Sequence, residues 1–478
     1  MALKITTSRP RHEGEVSDSL PWVWPGEAAE DRVRSSPLDA LPAELRDQIL
    51  LCIPDLKTLH SLVHACPVMY AHYRANRTAI LRACVSRDLD GFFADAYACA
   101  KSRFSALGSP RTNDKIIAFV EWYRHRLSSH ALVDVDSISS DDLPLLANVH
   151  LTIMMPLARR YRNWALGNLI HETSSSNGRV TITATAEKPD VECSRSEHIR
   201  IFRALYRYET YHNIFGRNEG RREGIIYPVG INDLFFGLFN PWEIEAIGCI
   251  ELFVRNHYEE IFDSVKEDLH DRRRCSQSGP KNSAIRLEES RDSSRPIMEQ
   301  MDYVMGTMSR GLRLTALFLA IDNHETLVTE AQRCLAQINE DLPTVSIDSE
   351  LRARLIAIDD YDTHGAEIQH YLDRTNDSIP IRRALEYSYD ALRMDWWDTR
   401  DEAERRRRPP RFGSDKVPPD GPPLSWVRIW EAVYGNTFGS YESNLNTSRK
   451  CGYVLWDEHR WNLTAKLWKG VPIFPRDG

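Results

Sequence analysis

Residues 38–76 read LDALPAELRDQILLCIPDLKTLHSLVHACPVMYAHYRAN, and their punctuation resolves into three short helices. Leu38, Leu41, Leu45, Ile49 and Ile53 step by 3, 4, 4 and 4, the spacing of one helix face. Pro42 falls at the start of that helix, where its missing N–H costs nothing. Pro54 ends it, and Asp55 is placed to cap a second helix lined by Leu56, Leu59, Leu62, Val63 and Cys66. Pro67 opens a third, with Val68, Tyr70 and Tyr73 available for packing. Three helices of this length bury too little surface to be stable alone, so the unit is expected to lean on a partner or on the rest of its chain.

Outward from this segment the helical periodicity continues. Asn240, Pro241 and Glu243 supply a cap, a first-turn proline and a glutamate three residues after the cap. Ile244, Ile247, Ile250, Val254, Tyr258, Ile261, Val265 and Leu269 then form one face of a long helix. A helix is expected over 197–215, and another from Pro296 with Met298, Met301, Met305, Met308, Leu312, Ala316 and Leu319 in a stripe. A further one follows Pro380, with Ile381, Leu385, Tyr389, Leu392 and Trp396. Polar stretches at 172–195, 271–295 and 405–425 interrupt the pattern and read as surface loops or linkers. Within the first, Val180, Ile182 and Ala184 alternate with threonines, which allows one minor β-hairpin. The expected fold is mostly α. A polar, disordered tail over 1–36 precedes a three-helix unit at 37–88. A large irregular helical domain follows over 89–404, then a Pro/Arg-rich linker at 405–425 and a helical segment of the same domain at 426–478. Trp22 and Trp24 are the features of the tail able to dock onto the folded body.

The chain has 478 residues and a formal net charge of −8, which disfavours a surface given over to nucleic acid. No run of apolar residues is long enough for a membrane span. The N-terminal MALKITTSRPRHEGEVSDS lacks the apolar core of a signal peptide, so an intracellular, cytoplasmic or nuclear protein is expected. The nine cysteines have long spacings and form no C-x-x-C, so buried reduced thiols are expected instead of a disulfide framework or a zinc ribbon.

In the first segment, Leu41-Pro42, Glu44-Leu45, Ile49-Leu50 and Asp55-Leu56, followed by Leu59, Leu62, Val63 and Cys66-Pro67, resemble an F-box of the divergent type carried by large fungal protein families. RIFRALYRYETYHNIFG (200–216), NPWEIEAIGCIELF (240–253) and GYVLWDEHR (452–460) are similar to later parts of those same proteins, whose downstream domain has no assigned chemistry. The better-known F-box pattern carries basic residues and a tryptophan where this chain has Pro67, Val68 and Met69. The resemblance implies a substrate receptor: the F-box docks the Skp-type adaptor of a cullin-based SCF ubiquitin ligase, and the helical domain holds a protein substrate. The residues implied at the docking face are Leu41, Pro42, Leu45, Ile49, Leu50, Leu56, Leu59, Leu62, Val63 and Pro67. The alternative is a helical interaction scaffold without ligase coupling, in which the same leucines serve only as core.

No catalytic residue, metal or cofactor is expected. Asp360, Asp362 and Gly365 imitate the start of a calcium loop, but its twelfth position is Tyr371 where a bidentate glutamate is needed. His60 and His64 stand one helical turn apart without a third ligand nearby in sequence. No G-x-S-x-G, P-loop or G-x-G-x-x-G occurs. The methionine stripe reads as core before it reads as an adaptable surface, and Trp396 and Trp397 point about 100° apart on a helix. Arg405–Arg408 fit two readings, a basic import signal and arginines at a helix C-terminus running into a solvated linker.

Overall fold

The computed structural model describes residues 37–103, 107, 111–128, 138–175, 193–216, 222–223, 234–277, 303–304, 306–338, 421–426, 447–457 and 460. It is mostly α. By its contacts the chain divides into two compact units, residues 1–90 with 135–148, and residues 91–134 with 149–478.

The first unit holds α1 (Ala43–Cys52), α2 (Leu56–Ala65), α3 (Pro67–Ala75) and α4 (Arg77–Asp88). Its helix ends follow the proline and aspartate punctuation. Pro42 precedes α1, and Asp55 caps α2 by accepting from the Thr58 N–H at 2.7 Å and the Thr58 hydroxyl at 2.8 Å. The end of α1 and the start of α2 are also tied to α4. The Arg87 guanidinium donates to the carbonyl of Leu51 in the last turn of α1 and to that of Ile53 just past it, both at 2.6 Å. Asp88 accepts from the Leu56 N–H at 2.9 Å. Burial pushes the Asp88 carboxyl up to about 6; the Leu56 N–H opposes the rise and the Asp55 charge adds to it. Leu50, Ile53, Leu56, Leu59, Val63, Met69, Tyr73, Ile80 and Cys84 make the core. Residues 138–148 join it, with Ile138, Leu143 and Leu146 buried and the Ile138 carbonyl accepting from Arg82 at 3.1 Å.

The second unit begins with α5 (Phe93–Lys101) and α6 (Asn113–Ser128). The short helix α7 (Asp142–Val149), whose last residue belongs to this unit, is followed by a π-helical turn, His150–Met154, and α8 (Met155–Ser175). The helix α9 (Arg195–Phe215) starts on a full capping box: the Ser194 hydroxyl accepts from the Glu197 N–H and the Glu197 carboxylate accepts from the Ser194 N–H, each at 3.1 Å. The long α10 (Pro241–Gln277) starts on Asn240, whose N–H and side-chain amide both donate to Glu243. Two further helices, α11 (Leu312–Leu319) and α12 (His324–Ile338), follow. The strands among the described residues are Arg111–Thr112 and Arg222–Glu223, a two-residue parallel pair.

Three expectations need adjustment. α8 continues through Ser175 and α10 through Gln277, so the polar stretches at 172–195 and 271–295 each begin as helix. The methionine-stripe helix is not continuous, because Gly311 adopts φ +81° and α11 restarts at Leu312. A Cβ on Gly311 would lie 2.5 Å from a Glu209 carboxylate oxygen, so the break is also a close approach that only glycine permits. On α1 the buried residue is Leu50, while Leu45 and Ile49 of the expected apolar face point outward. Trp22, Trp24, the 180–184 alternation, Met298, Met301, Met305, the 360–371 loop, the helix after Pro380 with Trp396 and Trp397, and Arg405–Arg408 lie outside the described residues.

Candidate docking surface and the buried ionic network

The residues implied at the docking face separate by burial. Leu50, Leu56, Leu59 and Val63 are core; Leu41 and Leu62 are half-buried; Pro42, Leu45, Ile49 and Pro67 are exposed. Among the described residues, the large hydrophobic side chains standing exposed are Leu45, at 50%, and Ile49, at 36%. They lie four residues apart on α1, and Pro42 and exposed Cys52 extend the same face at helical spacing. The far side of α1 is held to α3 by Asp47, which meets the His72 Nδ1 at 3.1 Å and the Asn76 amide at 3.3 Å. The outward face is therefore carried on a helix fixed from behind.

The second unit is organised by α9, which is buried along nearly its whole length. A helix buried all round is normally apolar, yet this one carries Glu197, Arg200, Arg207, Glu209, His212 and Asn213 inward. Buried charges need partners, and here the partners come from elsewhere in the chain. Arg207 bridges Asp95 of α5 and Glu243 of α10, at 2.8 Å each, and stacks its guanidinium 4.3 Å from the centre of the Phe239 ring. The Tyr123 hydroxyl donates to the same Asp95. Burial works against the charged Arg207, but Asp95 and Glu243 hold it firmly protonated. Burial also works against the charged Glu243, and Arg207 and Arg203 outweigh it.

The C-terminal segment 447–460 supplies the rest. Arg449 donates twice to Glu245 of α10, at 3.0 and 2.7 Å, and the Tyr453 hydroxyl donates to the same carboxylate at 3.1 Å. Arg460 donates to both oxygens of Glu197 at 2.7 Å. Asp457 accepts from Ser196, from Arg200 at 2.7 Å and from the Ser194 hydroxyl. Burial would raise the Asp457 carboxyl, but those three donors hold it below the usual range. The segments 200–216, 240–253 and 452–460, singled out in the sequence, thus meet in one network.

Two histidines are buried near this network. His150, on the π-helical turn, shares a 2.8 Å hydrogen bond with the Tyr206 hydroxyl and packs on Phe202 and Phe92. Burial, helped by His198, pushes its imidazole down to about 3, and burial does the same to His212 against an opposing hydrogen bond with the Ser309 backbone. Both rings are neutral at pH 7.

His60 and His64 face each other with ring centres 4.0 Å apart, and burial followed by the His64 charge lowers the His60 imidazole. Among the described residues no group of three or more His, Cys, Asp or Glu side chains could hold a metal ion. No helix among them is long and apolar enough to cross a membrane. None of the described cysteines forms a disulfide; Cys66, Cys84, Cys99, Cys249, Cys334 and Cys451 are buried, Cys193 half-buried and Cys52 exposed. Sequence reasoning missed Asp95, Tyr123 and Arg449 altogether, since none belongs to a recognisable motif. Comparison with known proteins returned no match, from family models, curated proteins or solved structures.

Proposed function

We propose that the chain is a non-catalytic substrate receptor of an SCF-type cullin ubiquitin ligase, docking the Skp-type adaptor through α1–α3 and a protein substrate through the second unit. The carrying observation is the outward placement of Leu45 and Ile49 on α1, in the segment whose residue order resembles an F-box. Full burial of a leucine or isoleucine contributes about 1.5–3 kcal/mol, so covering this half-exposed pair offers a partner roughly half that amount per side chain. The receptor makes and breaks no bonds in this reading; it raises the local concentration of a substrate lysine beside a charged conjugating enzyme.

The test is affinity capture of the intact protein from cells and identification of what co-purifies. Recovery of the adaptor and the cullin supports the proposal. Recovery of neither, where a known F-box protein captures both in parallel, rejects it in favour of a helical scaffold without ligase coupling.

A further inference from the structure

We propose that Leu20, Trp22 and Trp24 of this chain cover the outward face of α1, so that the face is self-occupied until a partner displaces them. The proposal bears on the receptor reading, because the same face is the adaptor contact named there. Pro42, Leu45, Ile49 and Cys52 step by 3, 4 and 3 and are all exposed, which puts them in one stripe along α1. The stripe is held in place from behind. Asp47 ties the far side of α1 to His72 and Asn76, and Leu50 and Ile53 anchor it in the core. Leu45 and Ile49 stand four residues apart, about 6 Å along the helix axis.

Chemistry and reach name the occupant. Residues 1–36 lie outside the described residues. Their sequence sets both of their tryptophans in Leu20-Pro-Trp-Val-Trp-Pro25, a run without a charge. Pro21 has a fixed φ, and Pro25 disfavours the helical region at Trp24, so the sequence favours an extended run. In such a run Leu20, Trp22 and Trp24 share one face and repeat roughly every 7 Å, which matches the step from Leu45 to Ile49. Tryptophan is also a residue type that dominates binding hot spots. Trp24 stands 13 residues before Pro37, where the described chain begins and a short turn leads directly into α1. Those residues can span at most roughly 45 Å, against a helix about 15 Å long, so the segment reaches every part of the stripe. So short a tether makes the encounter intramolecular, at an effective concentration on the order of millimolar. A second copy has no such advantage, since a stable interface needs roughly 800 Å² from each partner, more than two half-exposed side chains offer.

The test uses the full-length protein and iodoacetamide, with peptide mass mapping of Cys52 on the stripe and Cys84 in the core of the same unit. Trp22→Ser with Trp24→Ser is expected to speed labelling of Cys52 at least threefold and to leave Cys84 unchanged. An unchanged Cys52 rate overturns the proposal. So does a rise shared by Cys84, which would make the two tryptophans a support of the core instead. A second measurement puts benzoylphenylalanine in place of Trp24, in a mixture of light and heavy isotope-labelled chains, and maps the photo-crosslinks. Crosslinks within one chain to residues 42–52 are expected. Crosslinks to other residues, or between a light and a heavy chain, overturn the proposal, the latter in favour of a second copy. Neither measurement contains an adaptor, so failure here leaves the receptor reading standing, and failure to capture an adaptor leaves this contact standing.

Discussion

Replacing Arg449 by methionine probes how the C-terminal segment is held. The guanidinium makes two hydrogen bonds to Glu245, at 3.0 and 2.7 Å, with the two side chains 4% and 1% exposed. Methionine of similar length fills the space but leaves the Glu245 carboxylate without its guanidinium, held by the Tyr453 hydroxyl. Breaking a buried pair by removing one partner costs about 3–5 kcal/mol, a large share of the 5–15 kcal/mol typical of a folded domain. With a urea slope of about 2 kcal/mol per molar, the unfolding midpoint of the second unit should fall by about 2 M in urea titrations followed by circular dichroism. Adding Glu245→Leu removes the stranded charge, and the double variant should recover to within about 1–2 kcal/mol of the parent, because apolar replacement of a whole buried pair is often neutral. A midpoint shift below about 0.5 M for Arg449→Met, or a double variant that loses the sum of both singles, would refute the reasoning.

Further outcomes concern pH, glycine and thiols. The neutral His150 and His212 have imidazoles lowered to about 3, so the unfolded chain binds protons first. The second unit should lose stability as pH falls from about 6.5 towards 3, by at most about 2.7 kcal/mol per pH unit for two such groups. The first unit should respond oppositely through Asp88, whose carboxyl is raised to about 6: its contribution favours folding at acid pH and is lost as pH rises from about 4 to 6. Asp88→Asn should abolish that component in pH-dependent urea unfolding, and an unchanged profile would remove Asp88 as its source. Gly452 has φ +65°, and a Cβ there would lie 2.7 Å from the Tyr161 hydroxyl; Gly452→Ala should destabilise by about 1–3 kcal/mol in thermal unfolding, and a neutral result would contradict the close approach. Iodoacetamide on the native protein should label exposed Cys52 well before Cys84, whose thiol burial raises to about 12; equal labelling in peptide mass mapping would contradict the buried core.

What could be read from the sequence was local. Pro54, Asp55 and Pro67 bound the first helices because proline and capping act within a turn. The stripe from Ile244 to Leu269 is buried as its spacing implied, with Ile261 half-exposed. What escaped was set by distant partners. Periodicity alone gives no reason to bury Glu197 or Arg207 on α9, because their counter-charges stand 263 and 112 residues away in Arg460 and Asp95. Leu45 and Ile49 carry the spacing of a core face, yet Leu50, about 100° around the helix from Ile49, is the residue that α1 buries. Residues 138–148 join the first unit through contacts that no local pattern announces.

The burial of each leucine also decides which substitutions can test docking without unfolding the protein. Leu59 is core, so a charge there would collapse the first unit, whereas Leu45 and Ile49 already face outward and tolerate polar replacement at little cost. The most direct measurement is therefore calorimetric titration of the purified full-length protein with a purified Skp-type adaptor, alongside its Leu45→Asp, Ile49→Asp variant. The receptor account predicts saturable binding by the parent and at least a tenfold loss in the variant, with thermal unfolding unchanged. An adaptor that fails to bind the parent, or binds parent and variant alike, would contradict it.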